Sequence, residues 1–211
     1  MNRLLLWLIL LGLTAGLCWF FPLFHVVPWE RAEKAKAAGT FNPTQFTEKF
    51  WNEKLLRSLD RAVKAETLLS AIRTNAAEAK KQFSRSVGVS ESYTYFVSGR
   101  GRVLAANDDE IFLAVTEGAT NAEISLRTGL LFSNAVRDGT GLLNVNDYPN
   151  SQDFNSLSEA LNHLIEERVQ PKLREAAKTG ATINFVGCAE VDDESNDLKP
   201  LKIVPIKAEV Q

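Results

Sequence analysis

The chain has 211 residues, of which 45% are apolar and 24% charged, and its formal net charge is −2. That slight acid excess argues against bulk nucleic-acid binding, which needs a basic face to displace counterions from phosphates. With only two cysteines, Cys18 and Cys188, a disulfide-stapled scaffold is excluded.

In chain order, the first feature is a run without Lys, Arg, Asp or Glu between Arg3 and Glu30. At about 1.5 Å rise per residue such a run crosses a hydrocarbon core about 30 Å thick. A cleaved secretory signal has a shorter apolar run of about 7–15 residues followed by small residues. This one ends in Trp19, Phe20, Phe21, Phe24 and Trp29, side chains suited to a membrane interface. Cys18 follows Ala15, Gly16 and Leu17, one position out of phase with a lipid-attachment site, so an uncleaved anchor is expected and lipid attachment is the alternative. Arg3 in front of the run puts the amino terminus in the cytoplasm. The expectation is a single-pass inner-membrane protein with its domain in the periplasm: anchor over 1–28, stalk over 29–40, and one domain over 41–211.

Asn42-Pro43 predicts a helix start, with Asn as N-cap and Pro in the first turn. Phe46, Phe50, Leu55, Leu59 and Val63 then recur every four or five residues as an apolar stripe. A second stripe, Leu68, Leu69, Ile72 and Ala76, runs to about Phe83, which predicts a helical hairpin over 41–85. This half carries Lys54, Arg57, Arg61, Lys64, Arg73, Lys80, Lys81 and Arg85. They read as a solvated helix face, or alternatively as a docking surface for anionic lipid heads or a partner.

From Ser92 the period changes to alternation. Tyr93 to Val97, Val103 to Ala105, Ile111 to Val115 and Ile124 to Leu126 predict four short strands. Gly99 with Gly101, Asn107 to Asp109, and Gly118 supply the turns between them. Phe154, Leu157, Leu161, Leu164, Ile165, Val169 and Leu173 share one face of a long helix that Pro171 should kink. Thr182 to Val191 and Leu201 to Lys207 predict two closing strands around an acidic loop, Asp192 to Asp197. Cys188 lies in the first of them and reads as a small core residue rather than a reactive thiol. The fold class is therefore α+β: transmembrane helix, helical hairpin, then an OB-like antiparallel β-barrel over 92–208 with one long helix before the last two strands.

Few residues carry recognisable chemistry. Gly99-Arg100-Gly101 lacks the third glycine and following helix of a phosphate loop and reads as a hairpin turn. His163 has no Cys or His companions, so no metal or other cofactor is expected. Any two carboxylates could converge for glycosidic hydrolysis, yet no pair is marked, which makes an enzyme the weaker class. The chemically loaded stretch is Asn134 to Asn155. Its Arg137, Asp138, Asn144, Asn146, Asp147 and Tyr148 are the candidate ligand-binding residues, because planar amide, carboxylate and guanidinium groups beside an aromatic ring suit sugar hydroxyls. The competing reading is structural, with Asn and Asp capping turns and the following helix while Arg137 and Asp138 pair with other groups to fix the loop. Calcium is a third reading, although no twelve-residue binding loop with its closing Glu is present.

Several motifs together resemble a known family. They are Phe50-Trp51, Phe96-Val97-Ser98-Gly99-Arg100-Gly101-Arg102-Val103, Val136-Arg137-Asp138-Gly139, Ala160-Leu161-Asn162, Phe185-Val186-Gly187 and Val204-Pro205. In order and spacing they are similar to a bacterial family of predicted periplasmic lipoproteins with a domain of unknown function. The resemblance implies an exported, membrane-tethered protein, an OB-like barrel in some members, and genes that often adjoin sugar-type ABC transporters. The expected function is a non-catalytic binding or accessory module, with sugar ABC transporter components as partners. An OB-type binder of oligosaccharide or nucleic acid is the alternative, with nucleic acid disfavoured by charge, and a carbohydrate-active enzyme is a further one.

Overall fold

The computed structural model describes residue 7 and residues 41–87, 91–148 and 150–211. Apart from Trp7, the expected anchor and stalk lie outside the described residues. Among those described, no helix is long and apolar enough to cross a membrane. The chain divides into two units, Met1–Phe41 and Asn42–Gln211, and the second holds every element named below.

Helix α1, Pro43–Phe50, starts as its sequence requires: the Asn42 side-chain carbonyl accepts the Gln45 N–H at 3.0 Å. A π-turn over Trp51–Leu55 follows, closed by the Leu56 N–H on the Trp51 carbonyl at 3.0 Å. Trp51 and Leu55 are buried, while Leu56 is turned out. The stripe expected to continue as helix to Val63 instead ends in a 3₁₀ turn, Leu59–Arg61, and strand β1, Val63–Lys64. Helices α2, Ala65–Thr74, and α3, Ala76–Phe83, are separated by Asn75, whose extended backbone stops one and whose side chain caps the next by accepting the Glu78 N–H.

The expected hairpin does not form between α1 and α2. Phe50, Trp51 and Leu55 join one apolar cluster, and Ala65, Leu68 and Leu69 join another, on the two sides of a sheet. That sheet contains β2, Ser84–Arg85; β3, Tyr93–Ala106; β4, Glu110–Ala114; β5, Ile124–Arg127; β6, Thr182–Val191; and β7, Leu201–Val210. Its order is β1-β3-β4-β5-β7-β6, and β6 pairs again with β3 from Tyr93↔Val191 to Arg102↔Thr182. The pairings among β3, β4, β5, β7 and β6 therefore close a ring in Greek-key order.

Two expectations change here. The ring is not wholly antiparallel, because β5 and β7 run parallel, Ile124↔Leu201 to Leu126↔Ile203. The long connection between them, through the helices and β6, makes a parallel pair accessible. The first two expected strands are also a single strand, β3, with Gly99 and Gly101 inside it rather than at a turn. A Cβ on Gly99 would lie 2.7 Å from Ala65 Cβ and 2.8 Å from Phe185 Cζ, and one on Gly101 would lie 2.9 Å from Leu113 Cβ. Both glycines allow close approach of packed elements. The turn at Asn107 is as expected, its Oδ1 accepting the N–H groups of Asp109 and Glu110 at 3.0 and 2.8 Å.

Alternation along the strands separates two cores. Tyr95, Val97, Ile111, Leu113, Ile124 and Ile203 pack inside the ring. On the outer face, Phe96, Cys188, Val204 and Ile206 pack against Phe50, Trp51, Leu161 and Ile165. The long helix is α5, Ser151–Arg168, continued by α6, Gln170–Ala176, with Pro171 in the first turn of α6. Helix α4, Ala135–Gly139, and the short α7, Glu194–Asp197, complete the unit. Leu161 is 1% exposed in the outer core, whereas Glu159 is on the open face of α5. Leu161→Ala should cost about 2–5 kcal/mol, and Glu159→Ala less than about 0.5 kcal/mol, in denaturant unfolding. Equal costs would mean that the helix face is misassigned.

Candidate functional site

The residues expected to form a ligand loop fall into three places. On α4, Arg137 is 6% exposed, and its guanidinium is used up by neighbours. Its Nε and one terminal nitrogen donate to the two carboxylate oxygens of Asp138 at 2.6 and 2.8 Å, and the other terminal nitrogen donates to Asn155 Oδ1 at 2.9 Å. The guanidinium carbon lies 4.2 Å from the centre of the Phe154 ring. Such a bidentate, stacked arginine ties α4 to the start of α5. Behind it, a Cβ on Gly139 would lie 2.9 Å from Cys188 Sγ, so α4 sits flush on the sheet. Burial, with the Asp138 charge added, pushes the Cys188 thiol far above the ordinary cysteine range.

Asn144 opens a 3₁₀ turn, Val145–Asp147, by accepting the Asn146 N–H at 3.0 Å. Asn146 and Asp147 are exposed on that turn. Tyr148 stands apart, its ring edge-on to Phe46 at 6.1 Å and tilted on Phe154 at 5.3 Å. Burial first, then the Asp147 charge, raises the pKa of its hydroxyl. The structure thus joins Arg137 with Asp138 and Asn155, and leaves Asn144, Asn146 and Asp147 on a separate turn. Among the described residues no group of three or more His, Cys, Asp or Glu side chains could hold a metal ion.

Sequence reading missed the feature next to this loop. After Arg127 the chain leaves the sheet and runs over residues 128–134 without regular structure. The Thr128 and Gly129 N–H groups donate to the Asp109 carbonyl at 2.7 and 3.0 Å, and side chains take up further backbone groups of this strap. Arg174 donates to the Thr128 carbonyl at 3.2 Å and Gln170 to the Gly129 carbonyl at 2.9 Å. The Leu131 N–H donates to Glu166 at 2.7 Å, and the Asn162 amide donates to the Ser133 carbonyl at 3.0 Å. The Asn134 N–H and the Ser133 hydroxyl both donate to one oxygen of Glu190, at 2.9 and 2.7 Å. Leu131 points into the outer core at 6% exposure, while Leu130 and Phe132 on either side are 71% and 93% exposed.

The strap divides two depressions. One, about 490 Å³, lies between it and α5 and is bordered by Phe132, Asn155, Ser158, Glu159, Asn162 and Glu166. The other, about 190 Å³, is bordered by Arg127, Glu190, Asp192, Asp197 and Lys202. The Lys202 ammonium lies 3.1 Å from Asp197. Burial alone would raise the pKa of Asp197, but hydrogen bonds from the Asp193 and Asp192 N–H groups and the Lys202 charge outweigh it, and its carboxyl is held below the ordinary range. In sequence, Leu130-Leu131-Phe132 has neither helical nor strand period, and the residues that hold it come from 158–190.

The profile of predicted periplasmic lipoproteins (DUF2291) matches residues 9–209. The chain belongs to this family. Membership places it among predicted periplasmic lipoproteins. The crystal structure of an OB-fold protein from Thermotoga maritima is similar over 82% of this chain and 100% of that one, with 24% identity and a TM-score of 0.72. That likeness establishes an OB-type fold for the domain. No curated protein matches the chain.

The geometry around Arg137 has a measurable consequence. Arg137→Ala leaves a nearly buried carboxylate and an amide oxygen without their donor, a loss of about 1–3 kcal/mol. Asn146→Ala, at an exposed position, should change stability by less than about 0.5 kcal/mol. Thermal melts of the two variants check this, and an unchanged melt for Arg137→Ala would contradict the bracing role.

Proposed function

We propose that this family member is a non-catalytic binding module of the periplasm, tethered to the inner membrane by its apolar N-terminal run. Its closed ring is an OB-type barrel, its working surface is the strap over 128–134, and it serves as an accessory component of sugar-type ABC uptake.

One observation carries the reading. Leu130 and Phe132 are 71% and 93% exposed on a backbone held by side chains of Glu166, Asn162, Gln170, Arg174 and Glu190. Two large apolar side chains presented to water on an ordered segment fit a docking anchor, since aromatic and aliphatic anchors fixed before binding lose little entropy when they dock. Their place in the fold agrees. OB-type domains commonly bind along the second and third strands and over the loop between the fourth and fifth. The strap continues the third strand of the ring, β5, and the groove beside it is bordered by Asp192 and Asp197 from the loop between β6 and β7. The ionisable groups nearby serve structure: Arg137 and Asp138 bind each other, and exposed His163 lies 3.4 Å from Glu167.

The test is retention of a partner polypeptide by the tagged full-length chain, extracted from its native membranes in mild detergent. Phe132→Ser should lower retention by about tenfold or more, as expected for a hot-spot anchor, while the melt shifts by less than about 0.5 kcal/mol. Undiminished retention by Phe132→Ser would refute the strap as working surface. ABC transporter subunits among the retained polypeptides would support the role in sugar uptake, and their absence would remove that role.

A further inference from the structure

Among the described residues of the unit Asn42–Gln211, the large apolar side chains that stand exposed are Leu56, Leu130 and Phe132. They occupy two surfaces of opposite charge. Leu56 closes the π-turn after buried Leu55, and it is 39% exposed. It lies in a stretch with exposed Lys49, Lys54, Arg57, Arg61 and Lys64, against only two exposed acids, Glu53 and Asp60. None of these five cations forms an ion pair among the described residues. Around Leu130 and Phe132 the balance reverses. Glu159, Glu166 and Asp192 border the two depressions without a cationic partner among the described residues, and Lys202 and Arg127 are engaged by Asp197 and Glu110.

We infer that the partner of the strap is a second copy of this chain, which presents its Leu56 ridge. This rests on the strap being the working surface. A basic ridge with a protruding leucine meets an acidic depression with a protruding phenylalanine, so apolar anchors and charges are complementary at once. The 490 Å³ depression beside Phe132 has room for an aliphatic side chain. Asn162, 94% buried at its floor, spends its amide N–H on the strap and leaves Oδ1 as an acceptor for the incoming chain. Each such contact covers Leu130 and Phe132 of one copy and Leu56 of the other.

The experiment uses the full-length chain in bacterial membranes, with p-benzoylphenylalanine substituted at Phe132 and irradiation followed by mass spectrometry. The expected product has twice the chain mass, with the crosslink mapping to residues 49–64 of the other copy. Glu159→Lys with Asp192→Lys in every copy should lower its yield about tenfold or more, as like charges then face each other. The same drop is expected for Lys54→Glu with Arg57→Glu. Co-expressing the acid-reversed chain, carrying the photoprobe, with the base-reversed chain should restore the product, which a folding defect would not do. A crosslink to a different polypeptide or to lipid would overturn self-association and leave the strap as a docking surface only in the first case. No crosslink at residue 132 would overturn both readings. A doubled-mass product that maps outside 49–64, or that ignores charge reversal, would overturn the assigned faces.

Discussion

One strand carries most of the pairing in this domain. Tyr93–Ala106 bonds to β1 and β2 near its start, to β4 near its end, and to β6 along its length from Tyr93 to Arg102. It can do so only if neighbouring elements come closer than a side chain allows at two places, and Gly99 and Gly101 provide them. Closing the ring through β6 then commits β5 to a short parallel pairing with β7, from Ile124 to Leu126. Where that pairing stops, the chain still has to cross to the outer helices.

The strap follows from that geometry. Beyond Arg127 no strand is placed to accept hydrogen bonds, yet the segment passes over a core containing Leu131, Leu161 and Leu164. Polar groups there are costly unless paired. The pairing comes from the Asp109 carbonyl, which accepts two N–H groups, and from long polar side chains on α5, α6 and β6. With Leu131 fixed inward, its neighbours Leu130 and Phe132 face outward. Their exposure is thus a consequence of how the backbone is held, and it gives an OB-type ring a ready contact surface.

What was legible in the sequence was local. Asn42 announced its helix, because a short side-chain acceptor before a first turn has one obvious use, and it caps as expected. The span of β6, Thr182–Val191, followed from alternation alone. Other features depended on partners far along the chain. A glycine pair inside a strand looks like a turn until Ala65, Phe185 and Leu113 are seen against it. The π-turn over Trp51–Leu55 left no mark in the sequence, since those two residues keep the four-residue spacing of an α-helix. Arg137 and Asp138 were visible as loaded residues, but adjacency in sequence does not say that one guanidinium would satisfy Asp138, Asn155 and the face of Phe154 together. The strap was illegible for the same reason, since its order comes from Asp109 and from residues 158–190 and not from its own composition.

The central claim, that an irregular segment is pinned so as to present two apolar side chains, has a direct readout in amide hydrogen exchange resolved by residue. Exchange reports which N–H groups are held and how firmly. The N–H groups of Thr128 and Gly129 donate to the Asp109 carbonyl, and those of Leu131 and Asn134 donate to Glu166 and Glu190. These four should exchange slowly, while Leu130 and Phe132, interleaved among them, exchange fast. Uniformly fast exchange from Thr128 to Asn134 would contradict the account, because a segment that opens freely presents no fixed surface.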